Sequence, residues 1–383
     1  MKGIVQFLEQ ATDRYERWRL EVEQKKKERD PRRLVIAQSY KLSKEQKEQI
    51  DDLFVKYYGE KIDYFWHQNY AAHAGRFDYR FFPEYLYIPE FEFYQNQNKA
   101  AVRMMEDKNF IPLVANSVGV RMPETILSCV NGLLRDSSNH IISEKTATNL
   151  LKSKPVFFVK PSIDSSSGQG CRKVFINDNI EVSDNTLTVN GEHYKRDFVV
   201  QEVIKCHESI QQIYPKSVNT FRVISYLWKG QIEVMPIIIR IGKGGSFIDN
   251  AHAGGMFCAV NLDGSMGNHA VTEFNEHFLY HPDTHIKFVD HRISHIDKII
   301  EAAKRLHMQI PQIGVVNWDF TINGEGDPVL IESNCHYGSV WLPQMAHGTG
   351  AFGDKTAEVL KWLRFMKYTK PQNRKNYVGG LMD

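Results

Sequence analysis

Residues 313–334 read IGVVNWDFTINGEGDPVLIESN and are the most informative part of this 383-residue chain. Two apolar runs rich in β-branched residues flank the turn-forming sequence NGEGD, a pattern that predicts an antiparallel hairpin. With the turn centred on the Glu-Gly pair, Asp319 lies directly opposite Glu332. Asn334 shares the face of Glu332, because side chains alternate along a strand. Two carboxylates and an amide oxygen are therefore expected to converge.

Oxygen ligands of this kind suit a hard divalent cation such as Mg²⁺, which binds one or two carboxylates together with phosphate oxygens and water. The alternative is a solvated hairpin whose acids face water, since such faces are common on edge strands. We favour the metal interpretation because Glu332 and Asn334 end a nearly continuous apolar strand, where acids without partners are costly. The sequence therefore predicts a Mg²⁺ site at Asp319, Glu332 and Asn334.

Length, charge and cysteine usage narrow the class of protein. The chain is long enough for two or three lobes with a substantial core. Its formal net charge of +2 gives no indication of nucleic-acid binding. Its five cysteines are dispersed, odd in number and without a CxxC pair, which indicates reduced thiols. No apolar run reaches the length of a membrane span and no signal-peptide core is seen, so we expect a cytoplasmic protein.

An amphipathic helix is predicted for residues 1–33, because apolar residues recur alternately four and three positions apart from Ile4 to Val22. Pro31, at the end of a charged run, stops this helix. We favour a helix that packs on its own domain. The alternatives are a helix that pairs two copies in a homodimer, or a surface helix drawn by its lysines to an anionic membrane or glycan-lipid.

Ser43 and Gln46 form a capping box that begins a second helix, which Gly59 ends. The region after it includes FDYRFFPEYLYIPEFEFY, which is dense in aromatic residues and contains Pro83 and Pro89. These prolines argue against a long regular helix. We favour a rigid extended segment that covers the core, since large aromatic residues mostly serve packing. An aromatic platform for a sugar ring is the alternative.

Helix and strand alternate after residue 98, so the fold class is mixed α/β or α+β. One strand ends at Lys160 and is followed by a loop of small residues, namely Ser165, Ser166, Ser167, Gly168, Gln169 and Gly170. Backbone N–H groups of such a loop can approach a polyphosphate beside the charge of Lys160. A flexible hairpin turn explains the loop equally well. The Walker A pattern GxxxxGK[ST] is absent.

Two further segments carry groups that suit a nucleotide or another anion. The strand FVVQEVI runs into the polar residues 206–209, so its end can offer a backbone N–H and C=O to a base, with an acid beyond for a ribose. Arg222 and Arg240 each stand in an apolar strand. Buried arginines need anions, and two of them on neighbouring strands indicate a phosphate or a carboxylate.

The order of these segments resembles the ATP-grasp superfamily over residues 97–365. The shared features are a helix-opening DK (Asp107, Lys108), GVRMPET, FFVKP with its Ser/Gly loop, VVQEVI, TFRVISY with a later arginine, FIDN with a GG pair, and WDF followed by IESN. YYGEKID, FFPEYLY, SVNTFRV and IDNAHAGG are more specifically similar to the sugar-transfer-associated ATP-grasp proteins that accompany polysaccharide-synthesis genes. The resemblance implies an α+β fold in which two subdomains hold ATP, with a less constant N-terminal domain in front.

The resemblance also implies a role for each matching residue. ATP phosphates would be held by Lys108 and Lys160, adenine by the main chain of Glu202 and Ile204, and the ribose by Glu208. The complete ATP-binding set is Lys108, Lys160, Ser165, Ser166, Ser167, Gly168, Gln201, Glu202, Val203, Ile204, Glu208 and Asn250.

The remaining roles concern catalysis, metal and acceptor. Arg222 and Arg240 would be catalytic, neutralising the γ-phosphate and an acyl-phosphate. One or two Mg²⁺ ions would be bound by the three residues predicted above. In the family, residues after the metal strand meet the acceptor, so the expected substrate contacts are His336, Tyr337, Gly338 and Ser339.

We divide the chain into an N-terminal helical and aromatic-rich lobe (1–96), an ATP-grasp domain (97–365) and a C-terminal tail (366–383). The domain would comprise an ATP-binding subdomain over about 140–206 and a metal-binding subdomain over about 207–365. Both subdomains are expected to contribute to the site.

The implied function is an ATP- and Mg²⁺-dependent carboxylate–amine ligase that forms an acyl-phosphate and then an amide. The acceptor would be a uronic-acid carboxylate on a glycan or its precursor, and the amine an amino acid or amino alcohol. The alternatives are a kinase of a sugar hydroxyl and a non-catalytic nucleotide-binding scaffold in a glycan-assembly complex. His252, His336 and His347 lie near the expected site, and one could act as a base. Each is more often a hydrogen-bonding histidine, so they stay outside the predicted catalytic set.

Overall fold

A computed structural model describes residues 2–163 and 169–382 of the chain, with side chains from residue 10 onward. Its first lobe is helical. The helices are α1 (Lys2–Glu28), α2 (Pro31–Ser39), α3 (Lys44–Tyr57), α4 (Phe65–Ala74), α5 (Glu84–Leu86) and α6 (Phe93–Gln95), with a π-helix (Tyr87–Glu92) between the last two. The capping box of Ser43 and Gln46 at the start of α3 is confirmed. Pro31 takes the first position of α2, so it separates two helices.

The aromatic segment departs from the extended conformation expected for it. Residues 84–95 are helical throughout and pass through the π-helix, and all but Tyr85 are buried. Pro83 stands just before α5 and Pro89 lies within the π-helix, so the prolines fall where regular α-helix is interrupted. The prediction of an extended segment was wrong, whereas its packing role is confirmed by ring pairs such as Phe91 and Phe352, 4.7 Å apart.

The next part contains three helices, a five-stranded antiparallel sheet (the small sheet) and a separate three-stranded sheet. Its elements are α7 (Lys99–Glu106), α8 (Ile111–Ser117), β1 (Thr125–Val130), β2 (Leu133–Asp136), α9 (Glu144–Lys152), β3 (Val156–Pro161), β4 (Arg172–Phe175), β5 (Ile180–Ser183), β6 (Thr186–Val189), β7 (Glu192–Lys195) and β8 (Phe198–Gln201). Five strands form a sheet in the order β2-β1-β8-β3-β4, and β5-β6-β7 form a separate one. In the first sheet β3 is antiparallel to β8, and Lys160 near the end of β3 pairs with Val199 near the start of β8.

A large antiparallel sheet forms the second subdomain. Its elements are α10 (Glu208–Gln211), β9 (Phe221–Trp228), β10 (Gln231–Val234), β11 (Ile237–Ile241), β12 (Met256–Val260), β13 (Met266–Val271), β14 (His277–Phe278), α11 (Ile296–Gln309), β15 (Val315–Ile322) and β16 (Pro328–Asn334), with 3-10 turns at Ala251–Ala253 and Phe288–Asp290. The strand order is β14-β13-β12-β11-β9-β15-β16, and β10 also pairs with β9. β15 is buried along its whole length, so an acid within it must find a partner inside the protein.

The chain ends in helices that return to the first lobe. They are α12 (Trp341–His347), a 3-10 turn (Gly353–Lys355), α13 (Thr356–Tyr368) and α14 (Pro371–Arg374). The guanidinium of Arg374 lies 2.7 Å from the carboxylate of Asp13 in α1. One hydrophobic core joins the first lobe, the large sheet and α13, through residues such as Phe91, Tyr226 and Trp362. This core holds the first lobe firmly beside the sheet that carries the predicted site.

The first helix packs through polar side chains, not through its apolar stripe. Arg17 forms an ion pair with Glu90 at 3.1 Å, and Glu28 accepts a hydrogen bond from the indole of Trp66 at 2.7 Å. Tyr15 and Trp18, both in the stripe, are 61% and 58% exposed. The helix therefore packs on its own domain. It does so through its polar face, because the facing lobe presents the carboxylate of Glu90 and the indole N–H of Trp66. Among the described residues, no helix is both long and apolar enough to cross a membrane.

The predicted hairpin is confirmed as β15 and β16, and its register contains a bulge. Asp319 pairs with Glu332, as expected. Closer to the turn, however, Ile322 pairs with Pro328, so the pairing shifts by one residue between Asp319 and Phe320. A bulge of this kind inserts one extra residue and re-aims the side chains beyond it. The turn is therefore centred half a residue earlier than predicted, and the bulge restores the expected pairing of the acids.

Candidate functional site

A cleft of about 1340 Å³ lies between the small sheet, the large sheet and α1. Most of the predicted site residues line it. They are Lys108, Lys160, Gln201, Glu202, Val203, Ile204, Arg222, Arg240, Asn250, Asp319, Glu332, Asn334, His336, Tyr337 and Ser339. Glu208 and Gly338 do not line it, and Ser165, Ser166, Ser167 and Gly168 fall outside the described residues. Residues far apart in sequence are thus gathered in one cleft that a nucleotide and a second molecule can share.

Asp319 is the centre of a buried ion cluster formed by three neighbouring strands. β9 pairs with both β11 and β15, which brings Arg222, Arg240 and Asp319 together. Asp319 Oδ1 accepts a hydrogen bond from Arg222 Nε at 2.8 Å, and Asp319 Oδ2 lies 2.9 Å from a guanidinium nitrogen of Arg240. Burial alone would raise the pKa of the Asp319 carboxyl, but the two guanidinium groups hold it below its ordinary value. The anion expected between the arginines is a carboxylate of the protein itself.

A second acid supports Arg240 through a hydroxyl group. Arg240 Nε donates to Thr220 Oγ1 at 2.9 Å, and Thr220 Oγ1 in turn donates to Asp249 Oδ2 at 2.8 Å. Burial opposes the charged form of Arg240, but Asp319 and Asp249 raise the pKa of this guanidinium above its ordinary value. Arg240 is therefore charged and fixed in direction before any ligand enters the cleft.

Two lysines flank Glu332 on the side of the small sheet. Lys108 Nζ lies 3.8 Å from Glu332 Oε2. Lys160 is also buried, and burial lowers the pKa of its ammonium while the charge of Glu332 partly offsets this. A buried ammonium group next to open space gains most from an added anion, because water screens the interaction poorly there. This pair of lysines is suited to phosphate oxygens.

The residues predicted for Mg²⁺ fit such an ion in part. The strand pairing places Asp319 opposite Glu332, and two neighbouring carboxyl groups suit a cation between them. Asn334 Nδ2 is buried without a hydrogen-bond partner among the described residues, so the amide is not committed elsewhere through that atom. Both oxygens of Asp319 already contact guanidinium groups. Glu332 and Asn334 are thus the better candidates to hold the metal, with Asp319 shared between arginines and metal.

The segment predicted to bind adenine follows β8 at the rim of the cleft. The backbone N–H of Glu202 donates to the carbonyl of Glu124 at 3.0 Å, and the N–H of Glu124 donates to Glu202 Oε1 at 3.1 Å. The carbonyl of Glu202 and the backbone N–H of Ile204 are then the groups that can hydrogen-bond to the edge of an adenine base. Glu208, expected at the ribose, is exposed and accepts from the amide of Gln212 at 2.9 Å. The structure does not bring Glu208 to the cleft.

The loop after β16 is held by three glutamates that were absent from the predicted site. Glu106 accepts from the N–H groups of Cys335 and His336, both at 2.9 Å. Glu92 accepts from the N–H of Gly338 at 2.7 Å, and Glu84 from that of Val340 at 2.8 Å. The acids come from α5, the π-helix and α7. The first lobe, through Glu84 and Glu92, and α7, through Glu106, therefore fix the loop that carries the predicted substrate contacts.

Burial changes the acidity of two of these glutamates. It raises the pKa of Glu84 to about 7 and that of Glu92 to about 8, although backbone N–H groups lower both. Acids placed within an apolar, aromatic run are costly unless they accept hydrogen bonds. The presence of Glu84 and Glu92 in an apolar run was therefore the sequence signal that they accept buried hydrogen bonds. The sequence pattern did not identify the donors.

α1 forms the remaining wall of the cleft. Glu16, Arg19, Glu23 and Lys27 project from its inner side. Arg19 donates to the hydroxyl of Tyr337 at 2.8 Å. Charges of both signs thus face the loop beyond β16, at the end of the cleft away from the proposed adenine segment. Such a surface suits a polar second substrate better than an apolar one.

Comparison with known proteins identifies the family. A family model described as sugar-transfer associated ATP-grasp matches residues 90–359, which confirms the resemblance predicted over residues 97–365. The comparison with curated proteins found no match.

Several solved structures are similar to the chain at low identity. One is carboxyaminoimidazole ribonucleotide synthase from Aspergillus clavatus complexed with ATP, with 11% identity, 63% of this chain and 47% of that chain covered, and a TM-score of 0.38. Another is D-alanyl-alanine synthetase A from Vibrio cholerae, with 15% identity, 68% and 64% covered, and a TM-score of 0.39. A third is L-amino acid ligase from Bacillus licheniformis, with 12% identity, 63% and 46% covered, and a TM-score of 0.33. The chain spans about half the length of the first and third of these proteins.

Proposed function

The chain belongs to the sugar-transfer associated ATP-grasp family, and on this basis we propose that it is an ATP- and Mg²⁺-dependent carboxylate–amine ligase. The observation that carries the proposal is the set of four cations, Lys108, Lys160, Arg222 and Arg240, that line one cleft with Glu332. Phosphoryl transfer requires positioning and charge neutralisation more than covalent help from the protein. This set supplies both.

ATP would lie with its base at the Glu202 carbonyl and the Ile204 N–H. Its phosphates would contact the two lysines, and its γ-phosphate would reach Arg222 and Arg240. Asp319 keeps both guanidinium groups fixed, which reduces the reorganisation needed when charge develops on the transferred group. When bound by Glu332 and Asn334, Mg²⁺ would neutralise phosphate charge and orient the leaving group.

The reaction would proceed in two steps. An oxygen of the acceptor carboxylate attacks the γ-phosphorus, the bond to the β-phosphate oxygen breaks, and ADP leaves with the electron pair. An amine then attacks the carbonyl carbon of the acyl-phosphate, a C–N bond forms, the nitrogen loses a proton, and inorganic phosphate leaves with the electron pair of the broken C–O bond. The product is an amide, and no Ser or Cys nucleophile is needed.

The acceptor proposed for this chemistry is a uronic-acid carboxylate in capsular or exopolysaccharide biosynthesis, with an amino acid or amino alcohol as the amine. The family description, with its reference to sugar transfer, supports a sugar acceptor. So does the polar end of the cleft, where Arg19 and Lys27 can attract a carboxylate and Tyr337 offers a ring to a sugar.

The test is release of ADP and phosphate from Mg²⁺-ATP with uronic-acid oligosaccharides, in the presence and absence of a pool of amino acids and small amines. Mass spectrometry of the products completes it. The proposal predicts ADP release that depends on both partners and a product heavier by the amine less water. A lasting phosphate adduct without amine dependence would indicate a kinase, and ATP binding without substrate-stimulated turnover would indicate a scaffold.

A further inference from the structure

Glu273, in the connection between β13 and β14, holds the side chain of His252 in the cleft. His252 lies in the 3-10 turn between β11 and β12, where its backbone N–H donates to Asn250 Oδ1 at 2.8 Å. Its ring Nδ1 lies 2.7 Å from Glu273 Oε2. The His252 side chain lines the cleft and is 48% exposed, whereas that of Glu273 is 10% exposed. A buried acid thus fixes a histidine whose other edge meets the open cleft.

The hydrogen bond to Glu273 determines which ring nitrogen is free. An ionised carboxylate can only accept, so the proton of a neutral His252 ring resides on Nδ1 and Nε2 is left with its lone pair. Among the described residues, Nε2 has no hydrogen-bond partner. Burial alone would raise the pKa of Glu273, but the hydrogen bond from His252 and the charge of Arg33 keep it below its ordinary value. Glu273 is therefore ionised and able to hold this tautomer.

Arg33 completes the arrangement from the first lobe. A guanidinium nitrogen lies 2.5 Å from Glu273 Oε1, and the Arg33 side chain is 4% exposed. The guanidinium also lies over the rings of Trp66 and Trp341, at 5.8 Å and 5.7 Å from their centroids. Trp341 begins α12, directly after the loop of predicted substrate contacts, and its ring centroid is 5.7 Å from that of His252. The imidazole therefore faces the acceptor end of the cleft.

We propose that His252 is the general base that deprotonates the attacking amine, with Glu273 as its positioning residue. This inference rests on the proposed ligase function. Nε2 of His252 takes a proton from the ammonium form of the amine, which frees the nitrogen lone pair to form the C–N bond to the carbonyl carbon of the acyl-phosphate. The bond from this carbon to the bridging oxygen breaks and the phosphate leaves with that electron pair. The second proton lost by the nitrogen passes to the departing phosphate, and the proton on Nε2 passes to water. An oriented histidine beside a nucleophile is the recurring solution to this problem.

Two arginines and a histidine lie around the His252–Glu273 dyad. Arg33 contacts Glu273 directly, Arg32 carries a further charge near Glu273, and His73 Nε2 lies 3.3 Å from the carbonyl oxygen of Glu273. Burial lowers the pKa of His73 to about 4, so this histidine is neutral at the pH of the assay. A pH dependence of the amine step would therefore arise from the dyad and from the amine.

Hydroxylamine separates the two steps experimentally. It captures acyl-phosphates as hydroxamates and is mostly unprotonated at neutral pH, so it needs no base. Wild type and His252→Gln are compared with the uronic-acid oligosaccharide that supports ADP release, using either hydroxylamine or ethanolamine as the nucleophile. We expect His252→Gln to form hydroxamate at the wild-type rate and to lose roughly 100-fold in amide formation with ethanolamine at neutral pH. This loss should shrink as rising pH deprotonates ethanolamine in solution.

Two further variants sharpen the comparison. Glu273→Gln should show the same pattern with a smaller loss of roughly tenfold, because the imidazole stays but its tautomer is no longer fixed. His140→Gln, at a histidine whose side chain is 78% exposed on the small subdomain, should match wild type with both nucleophiles. Equal losses with hydroxylamine and ethanolamine, or no loss in His252→Gln, would overturn the role of His252 alone. A wild-type protein that forms no hydroxamate would overturn the ligase function and this inference with it.

Discussion

Asp319 lies directly across from Arg222 in the pairing of β15 with β9, and its Oδ1 is 2.8 Å from Arg222 Nε. The acid is fully buried, and a second guanidinium, that of Arg240, contacts its other oxygen. Two charged groups inside an apolar sheet are stable only as partners. The pair therefore links the stability of the large sheet to the geometry of the proposed phosphate site.

Replacing Asp319 should strongly destabilise the protein. In Asp319→Asn, two buried guanidinium groups lose the charge that compensates them, which costs about 3–5 kcal/mol. Urea-induced unfolding measures the difference. Asp327→Asn is the matched control, because this acid lies in the turn of the same hairpin and is 40% exposed. Its loss should stay below about 1 kcal/mol. Equal effects of the two substitutions would contradict the role assigned to Asp319.

Glu332 should matter more for turnover than for folding. Its side chain is 32% exposed and faces the cleft, so Glu332→Gln should cost less stability than Asp319→Asn, although it removes the charge beside the buried Lys108 and Lys160. Loss of a metal ligand forfeits several kcal/mol of charge stabilisation, which corresponds to a fall of roughly 100-fold or more in ADP release. Glu325→Gln, at a 72% exposed acid in the turn, serves as the control. Undiminished turnover in Glu332→Gln, with the control also active, would remove Glu332 from the site.

Gly338 should tolerate no side chain. A Cβ built there would lie 2.1 Å from Asn317 Nδ2 and 2.6 Å from Glu92 Oε2, so Gly338→Ala must displace the loop that carries the predicted substrate contacts. A displacement of about 1 Å can cost up to roughly 100-fold in rate. The measurement is the kcat/KM for the acceptor. Gly324→Ala is the control, because its Cβ would meet nothing within 4 Å. An active Gly338→Ala variant would show that the loop is not tightly fixed.

Glu92 should make stability fall as the pH rises. Its pKa is raised from 4.5 to about 8 by burial, so the folded protein holds the proton more tightly than the unfolded chain does. The contribution is complete below the ordinary pKa and is lost as the pH passes from about 4.5 to about 8, at up to about 1.4 kcal/mol per pH unit. Glu84, with a pKa of about 7, acts in the same direction.

Thermal unfolding across this pH range tests the effect of Glu92. The Glu92→Gln variant cannot ionise at this position, so its melting temperature should fall less between about pH 5 and about pH 8 than that of the wild type. Glu181→Gln, at an exposed acid on β5, should follow the wild-type curve. Parallel curves for wild type and Glu92→Gln would mean that Glu92 is ionised throughout.

The sequence was most informative where one local pattern and one physical requirement coincided. The hairpin of β15 and β16 follows from β-branched runs around a strong turn, and the pairing of Asp319 with Glu332 was predicted correctly. The bulge that shifts the rest of the register was not predictable, because it depends on packing against neighbouring strands. Arg222 and Arg240 were recognised from their apolar strands, although the nearest anion proved to be Asp319.

Contacts between distant segments were the part that sequence patterns missed. The apolar stripe of α1 predicted which face packs, but Tyr15 and Trp18 are exposed, since the facing lobe presents polar groups such as Glu90. The partnership of His252 with Glu273 joins two loops, and no spacing rule connects them. Such pairs depend on tertiary structure, so they become visible only once the fold is known.

The most direct test of the ligase chemistry follows an oxygen atom. An acceptor whose carboxylate carries a heavy isotope at both oxygens is incubated with the protein, Mg²⁺-ATP and the amine, and the released phosphate is examined by mass spectrometry. The ligase mechanism predicts that each released phosphate carries one heavy oxygen, because a carboxylate oxygen stays on phosphorus when the amine displaces the phosphate from the acyl carbon. Phosphate without the isotope would mean that water attacks ATP directly, and this result would contradict the proposed mechanism.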